Sequence, residues 1–259
     1  MADGDLSEPK RQRGGRQKLR DSRVGVEAGV HRPYIVRGIP TYDILSEESL
    51  VAIEKTADRL LAEIGIELRD DHPTMLLYKS AGAEVTDQTQ GIWRVKFPPG
   101  MLREILKASP EVFTQHARNP ANSVQIGGNN VVFAPSYGSP FVMDLDRGRR
   151  YGTIEDFRNF IKLSQSSPWL HHSGGTVCEP TDVPVNKRHL DMVYSHIRYS
   201  DRAFLGSITA PERAADSVEM ARILFGEAFT DRNCVVMGNF NTTSPMVIDG
   251  VTAAGIRTY

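Results

Sequence analysis

Three successive strand–loop–helix units in the last third of the chain predict a parallel α/β fold. The first runs from a strand at 169–175 to a helix at 186–200, the second from 203–207 to 210–225, and the third from 234–240 to a helix from Pro245 onward. Two further observations refine this. The strand starts lie 34 and 31 residues apart, and eight such units make about 250 residues, the usual size of a closed (β/α)8 barrel. No Gly-rich phosphate fingerprint follows any of the three strands, which counts against the dinucleotide-binding open sheet. The expectation is therefore α/β: a (β/α)8 TIM-type barrel over 151–259, truncated after about three units, preceded by an α+β region over 31–150 and a basic tail over 1–30.

The tail reads as solvated and disordered, because it offers almost nothing apolar to bury. A Pro-punctuated lead-in covers 31–45. Ser46 then reads as the N-cap of a helix whose first turn carries Glu47 and Glu48, where carboxylates favour the helix dipole. Leu50, Ile53, Ala57, Leu60, Leu61 and Ile64 form one apolar stripe at helical spacing, and Gly65 is a natural stop. A short helix at 73–80, a strand pair at 84–85 and 93–97, and a helix at 99–108 follow. Short strands are expected at 112–116, 123–126, 131–134 and 141–144, a small β layer over one end of the barrel.

Thr153 opens a helix with Phe157, Phe160 and Ile161 turned inward. Within the repeat, Leu190, Val193, Tyr194 and Ile197 are expected to form one buried face, and Val218, Ala221, Leu224 and Phe225 the next. Thr209 and Glu212 have capping-box spacing, and Ser244–Pro245 reads as an N-cap followed by Pro at the first helical position.

Composition narrows the function class. Net charge is −1, but residues 10–23 hold seven cations against Asp21 alone, leaving about −7 elsewhere. With no aromatics between those cations, base stacking has nothing to use, and a nucleic-acid role is not expected. No run approaches the ~20 apolar residues of a membrane span, and two cysteines fit a reducing cytoplasm.

The loops after the three strands, GGTVCEPTDVP, SITAPE and GNFNTTSP, are small and polar, and barrel enzymes keep their sites there. Tyr137, Ser173, Glu179, Ser207, Asn239 and Asn241 are the candidate substrate-binding residues, with no catalytic residue assigned. The competing reading pairs Glu179 with Lys187 or Arg188 and makes Asp182 or Thr181 the cap of the next helix. His171, His172, Cys178 and Glu179 are zinc-ligand types, but strand alternation sends the two histidines to opposite faces, and no metal is expected. Tyr137, Phe141, Trp169, Phe204 and Phe240 could cage an ammonium group if they converge, or else belong to the core.

The segment from GGTVCEPTDVPVNKRHLDMVYSH through SITAPERAADSVEMARILFG, followed by VVMGNFNTTSPMVIDG, closely resembles the trimethylamine:corrinoid methyltransferase family. RQRGGR, LLAEIGIE and APSYGSPFVMDLDRG extend the likeness over nearly the whole chain. The family includes relatives acting on quaternary amines such as glycine betaine. The resemblance implies a (β/α)8 barrel that moves a methyl group from a methylated amine to the Co(I) of a corrinoid (cobalamin) carried by a cognate partner protein, with no cofactor held directly. It also implies a polypeptide about twice this long, with the pyrrolysine of the trimethylamine enzymes beyond Tyr259, and a homo-oligomer at full length. Co(I) is itself the nucleophile and a quaternary nitrogen leaves as a neutral amine, which matches loops short of acid/base groups. Two alternatives stand beside it: a different barrel enzyme, a lyase using Glu179 or Lys187, and a fragment inert on its own.

Overall fold

The computed structural model describes residues 35–259, so the basic tail lies outside the described residues. β1 (Ile35–Val36) leads into α1 (Glu47–Glu63). Ser46 Oγ accepts from Ser49 N at 3.3 Å, as the N-cap expectation requires. After Ile64, Gly65 takes φ +73°, and a Cβ there would sit 2.2 Å from the Val95 carbonyl oxygen, so handedness and space both demand glycine. The apolar stripe of α1 is only partly used: Leu61 packs on the core, while Leu50, Ile53, Leu60 and Ile64 stay exposed.

β2 (Ile66–Arg69), α2 (His72–Ser80), β3 (Glu84–Thr89) and β4 (Ile92–Lys96) follow. Asp71 caps α2 by accepting from Thr74 N at 2.8 Å. β4 pairs antiparallel with β2 on one side and β3 on the other. Leu68, Ala83, Val95 and Phe97 form the core beneath this sheet, walled by Met75, Tyr78 and Trp93. α3 (Met101–Leu106) is shorter at both ends than the sequence suggests.

β5 (Val112–Gln115) and β6 (Val124–Gly127) make one antiparallel pair, and β7 (Asn130–Val131) pairs with β1. β8 (Phe141–Asp144) turns back into β9 (Gly148–Tyr151), a strand the sequence hides behind the charged pair Arg149–Arg150. Its Arg150 turns inward and holds Asp156 through its two terminal guanidinium nitrogens, at 2.5 and 2.7 Å.

α4 (Ile154–Ser166) begins with a complete capping box between Thr153 and Asp156. Phe157 and Ile161 are fully buried, but Phe160 is exposed, because the helix presents a narrower stripe than three aromatic and aliphatic positions would fill. α5 (Arg188–Tyr199) also differs from expectation. Its buried face is His189, Val193, Ser195 and His196, while Leu190 and Tyr194 face solvent. β10 (Phe204–Leu205) precedes α6 (Pro211–Phe225), which buries Ala214, Ser217 and Ala221. The N-cap is Ala210, not Thr209: Pro211 at the first helical position fixes where the helix starts, and Thr209 Oγ1 accepts from Arg213 instead.

After α7 (Glu227–Thr230) and β11 (Val236–Met237) comes the largest departure. Ser244–Pro245 does not open a helix; β12 (Val247–Ile248) intervenes and pairs parallel with β2. α8 (Gly250–Thr258) starts only at the Asp249 cap, which accepts from Thr252 N at 2.8 Å. β12 and Ala253 of α8 thus join the sheet and core built by the first third of the chain.

The repeat itself is a set of parallel neighbours. His172 bridges Ala203, β10 pairs with β11, and Gln115 bridges Cys234. On the other flank, Phe133 O accepts from His171 N at 2.8 Å and Thr176 O accepts from Gly138 N at 2.7 Å, so 133–138 runs parallel beside 171–176. Helices α4, α5, α6 and α8 pack side by side in that order.

Candidate functional site

The three expected strands end at Gly174–Gly175, Gly206–Ser207 and Gly238–Asn239. Behind these ends lies a buried polar network that sequence reading missed. His172 Nδ1 accepts from Gly174 N at 2.9 Å, so its proton sits on Nε2, 3.1 Å from Gln115 Oε1. Gln115 Nε2 in turn donates to Phe204 O at 2.8 Å. His196 Nε2 faces Gly175 O at 2.8 Å and must donate to it, which leaves Nδ1 to accept from Ser173 Oγ at 2.9 Å. Burial pulls His172 down to about 3, with repulsion from His196 adding where that ring is protonated, and pulls His196 down to about 4 against the opposing Gly175 hydrogen bond. Both rings are therefore neutral struts that fix the backbone where the first loop begins. His189 and His196 are seven residues apart on α5, one helix face, and that spacing was the available signal.

Of the six candidate residues, Tyr137 and Asn239 meet: Asn239 Nδ2 donates to the Tyr137 hydroxyl oxygen. Both are exposed, as is Asn241. Ser207 stands at the neighbouring strand end, its carbonyl accepting from Tyr259 OH at 2.9 Å and its N–H donating to Ser217 Oγ at 3.0 Å. Ser173 is wholly buried and serves the histidine network, so it does not face the mouth. Glu179 is bound to Arg188 at 2.5 Å, as the competing reading held. Asp182 does cap a helix, but the preceding one, accepting from Ile154 N at 2.8 Å. Lys187 lies 3.2 Å from Asp191.

The other chemistry-bearing groups are quiet. Cys178 is buried and its thiol is pushed up to about 12, by burial first and the nearby Asp156 carboxylate next. His171 Nδ1 accepts from Phe133 N at 3.0 Å, and among the described residues no group of three or more His, Cys, Asp or Glu is placed to hold a metal ion. The five aromatics do not converge. Phe204 is buried and stacked on His196, Phe141 packs on Tyr151 under Arg149, and Trp169 is exposed. Phe240 meets Tyr259 edge-on at 6.0 Å, and the Tyr259 ring lies where a side chain on Gly238 would go. Gly138, at φ +89°, has open space on its Cβ side, so the backbone next to Tyr137 is approachable.

What these strand ends offer is neutral hydrogen-bonding groups, an exposed phenol and two exposed amides, with the nearby carboxylates Glu179 and Asp182 already engaged. No described helix is long and apolar enough to cross a membrane. Over 222 residues the chain is 40% identical to the glycine betaine methyltransferase of Desulfitobacterium hafniense (strain Y51), a stretch amounting to 85% of this chain and 45% of that protein. The chain thus spans less than half the length of that relative. The pattern of the trimethylamine methyltransferase (MTTB) family matches residues 11–259, and the chain belongs to that family.

Proposed function

We propose that this chain forms part of a methyltransferase that takes a methyl group from a methylated amine, of the quaternary kind represented by glycine betaine, for transfer to a corrinoid carried by a separate protein. The observation that carries the reading is the neutral mouth. Glu179 is held by Arg188, Asp182 by the start of α4, and Cys178 is kept protonated, so the first loop offers no free carboxylate or thiolate among the described residues. A lyase or Schiff-base mechanism needs such a group, and Lys187 is tied to Asp191. Displacement of a neutral amine from a quaternary nitrogen needs none. When bound, the corrinoid supplies the nucleophilic cobalt that accepts the methyl group. In this account Tyr137, Ser207, Asn239 and Asn241 orient the amine, and the His172–Gln115 and His196–Ser173 struts hold the loops that carry them.

We also propose that the parallel strands belong to a (β/α)8 barrel. Side-by-side helices support this, and so does curvature. Tyr137 stands outside the first strand and Asn239 ends the third, three strand spacings away, or ~14 Å on a flat sheet. Their contact supports a sheet that curls.

The test uses the product of the complete reading frame that contains residues 1–259, with cobalamin reduced to Co(I). Glycine betaine, tetramethylammonium, trimethylamine and dimethylglycine are each added and the Co(I) absorption followed. The expected result is loss of Co(I) with the quaternary amines. Loss with none of the four, in enzyme that melts cooperatively, rejects the proposal.

A further inference from the structure

We propose that Tyr137 and Asn239 form the seat for a carboxylate, so that the amine substrate is a zwitterion with a carboxylate close to its quaternary nitrogen; this rests on the methylated-amine reading above. A phenol carries one proton and can both donate and accept. The Asn239 amide occupies the Tyr137 oxygen as acceptor, which leaves the Tyr137 proton, and the second N–H of Asn239, for a group arriving from outside. The ring is half exposed and the adjoining Gly138 backbone is open, so an incoming acceptor has access. An O–H polarised by a hydrogen bond to its own oxygen is the stronger donor, and a carboxylate is the strongest acceptor for it.

Two of the three nearby cations that could compete for a carboxylate are paired with acids, and the third, Arg213, is held only by a neutral hydroxyl. In the loops and first helical turns behind the first two strand ends, Lys187 faces Asp191 at 3.2 Å, Arg188 faces Glu179 at 2.5 Å, and Arg213 donates to Thr209 Oγ1 at 2.8 Å. Neutral donors suit the substrate better than a guanidinium would. A fixed cation would repel the quaternary nitrogen that lies one methylene from the carboxylate of a betaine, whereas a phenol and an amide hold the carboxylate without that penalty. The seat bridges the mouth from outside the first strand to the end of the third, so a carboxylate held there keeps the methyl groups at the strand ends.

The experiment compares glycine betaine with tetramethylammonium, which has the quaternary nitrogen but no carboxylate, in the complete-frame protein. The ratio of their kcat/KM values is measured for wild type, Tyr137→Phe, Asn239→Ala and Arg213→Met. Glycine betaine binding is measured by calorimetry without corrinoid. The expected result for Tyr137→Phe is a ratio reduced by about 10- to 100-fold, with betaine affinity weakened in step. Asn239→Ala is expected to move the ratio the same way by a smaller factor. An unchanged ratio in Tyr137→Phe, or a collapse of the ratio in Arg213→Met alone, overturns the assignment while leaving the methyltransferase reading intact. Wild-type protein that neither binds nor demethylates any methylated amine overturns both.

Discussion

Acidifying the protein from pH 7 to pH 5 should remove about 4 kcal/mol of stability, because two buried histidines refuse protons that the unfolded chain accepts. His172 and His196 are lowered to about 3 and about 4 in the fold, by burial above all, while an unfolded histidine titrates near 6.5. Below the unfolded value, the unfolded state therefore binds more protons than the folded one. The stabilisation is complete above about pH 6.5 and is lost progressively as the pH falls toward the folded values. Each ring contributes about 2 kcal/mol between pH 7 and 5, at 1.36 kcal/mol per unit. The carboxylates that the fold holds low, such as Asp71 and Asp249, protonate at lower pH and leave this window to the histidines. Urea unfolding at pH 7 and pH 5 measures the difference. A His172→Gln, His196→Gln double variant should show a much flatter dependence. A wild-type stability that is level across this range would mean that the two rings are not neutral struts.

Replacing Arg202 by Met should cost about 3 kcal/mol at neutral pH. Arg202 is 5% exposed and sits at the C-terminal end of α4. Its guanidinium donates to the carbonyls of Ser164 at 2.5 Å, Gln165 at 3.1 Å and Ser167 at 2.8 Å. These are among the carbonyls a helix leaves without internal partners, and a cation there also complements the helix dipole. Two effects oppose each other. Burial lowers the Arg202 pKa and its Nε finds no partner, so the cation is held at a cost that Met would relieve. Met also removes three charge-assisted hydrogen bonds, from the part-buried Gln165 and Ser167 carbonyls and from that of Ser164, which keeps only the Ser167 N–H at 3.2 Å. The lost hydrogen bonds outweigh the relief. Denaturant unfolding of Arg202→Met and Arg202→Lys, with Lys intermediate, checks this; a loss under about 1 kcal/mol for Met would show that burying the charge cancels the hydrogen bonds.

What could be read in the sequence was local. Ser46 and Thr153 announced α1 and α4 because a capping side chain acts within one turn. The three-unit rhythm appeared because each strand and helix repeats over about thirty residues. What failed depends on partners far along the chain. β12 reads as the start of a helix until β2, some 180 residues earlier, offers an edge to pair with. Phe160 and Tyr194 carry the right periodicity but the helix interfaces are narrow, and polar Ser195 and His196 fill the space instead. For the site, Tyr137 and Asn239 were legible as residue types suited to a mouth, but their contact spans 102 residues. Ser173 misled because its small polar side chain suits a pocket and a buried hydrogen bond equally well, and only His196 decides between them.

The role proposed for these residues is methyl transfer out of a quaternary amine. The most direct measurement follows the methyl group itself. The complete-frame protein is incubated with glycine betaine carrying deuterated N-methyl groups and with Co(I) cobalamin, and products are weighed by mass spectrometry. The account predicts deuterated methylcobalamin and dimethylglycine in equal amounts. Unlabelled cobalamin with intact betaine, from protein shown to be folded, would contradict it.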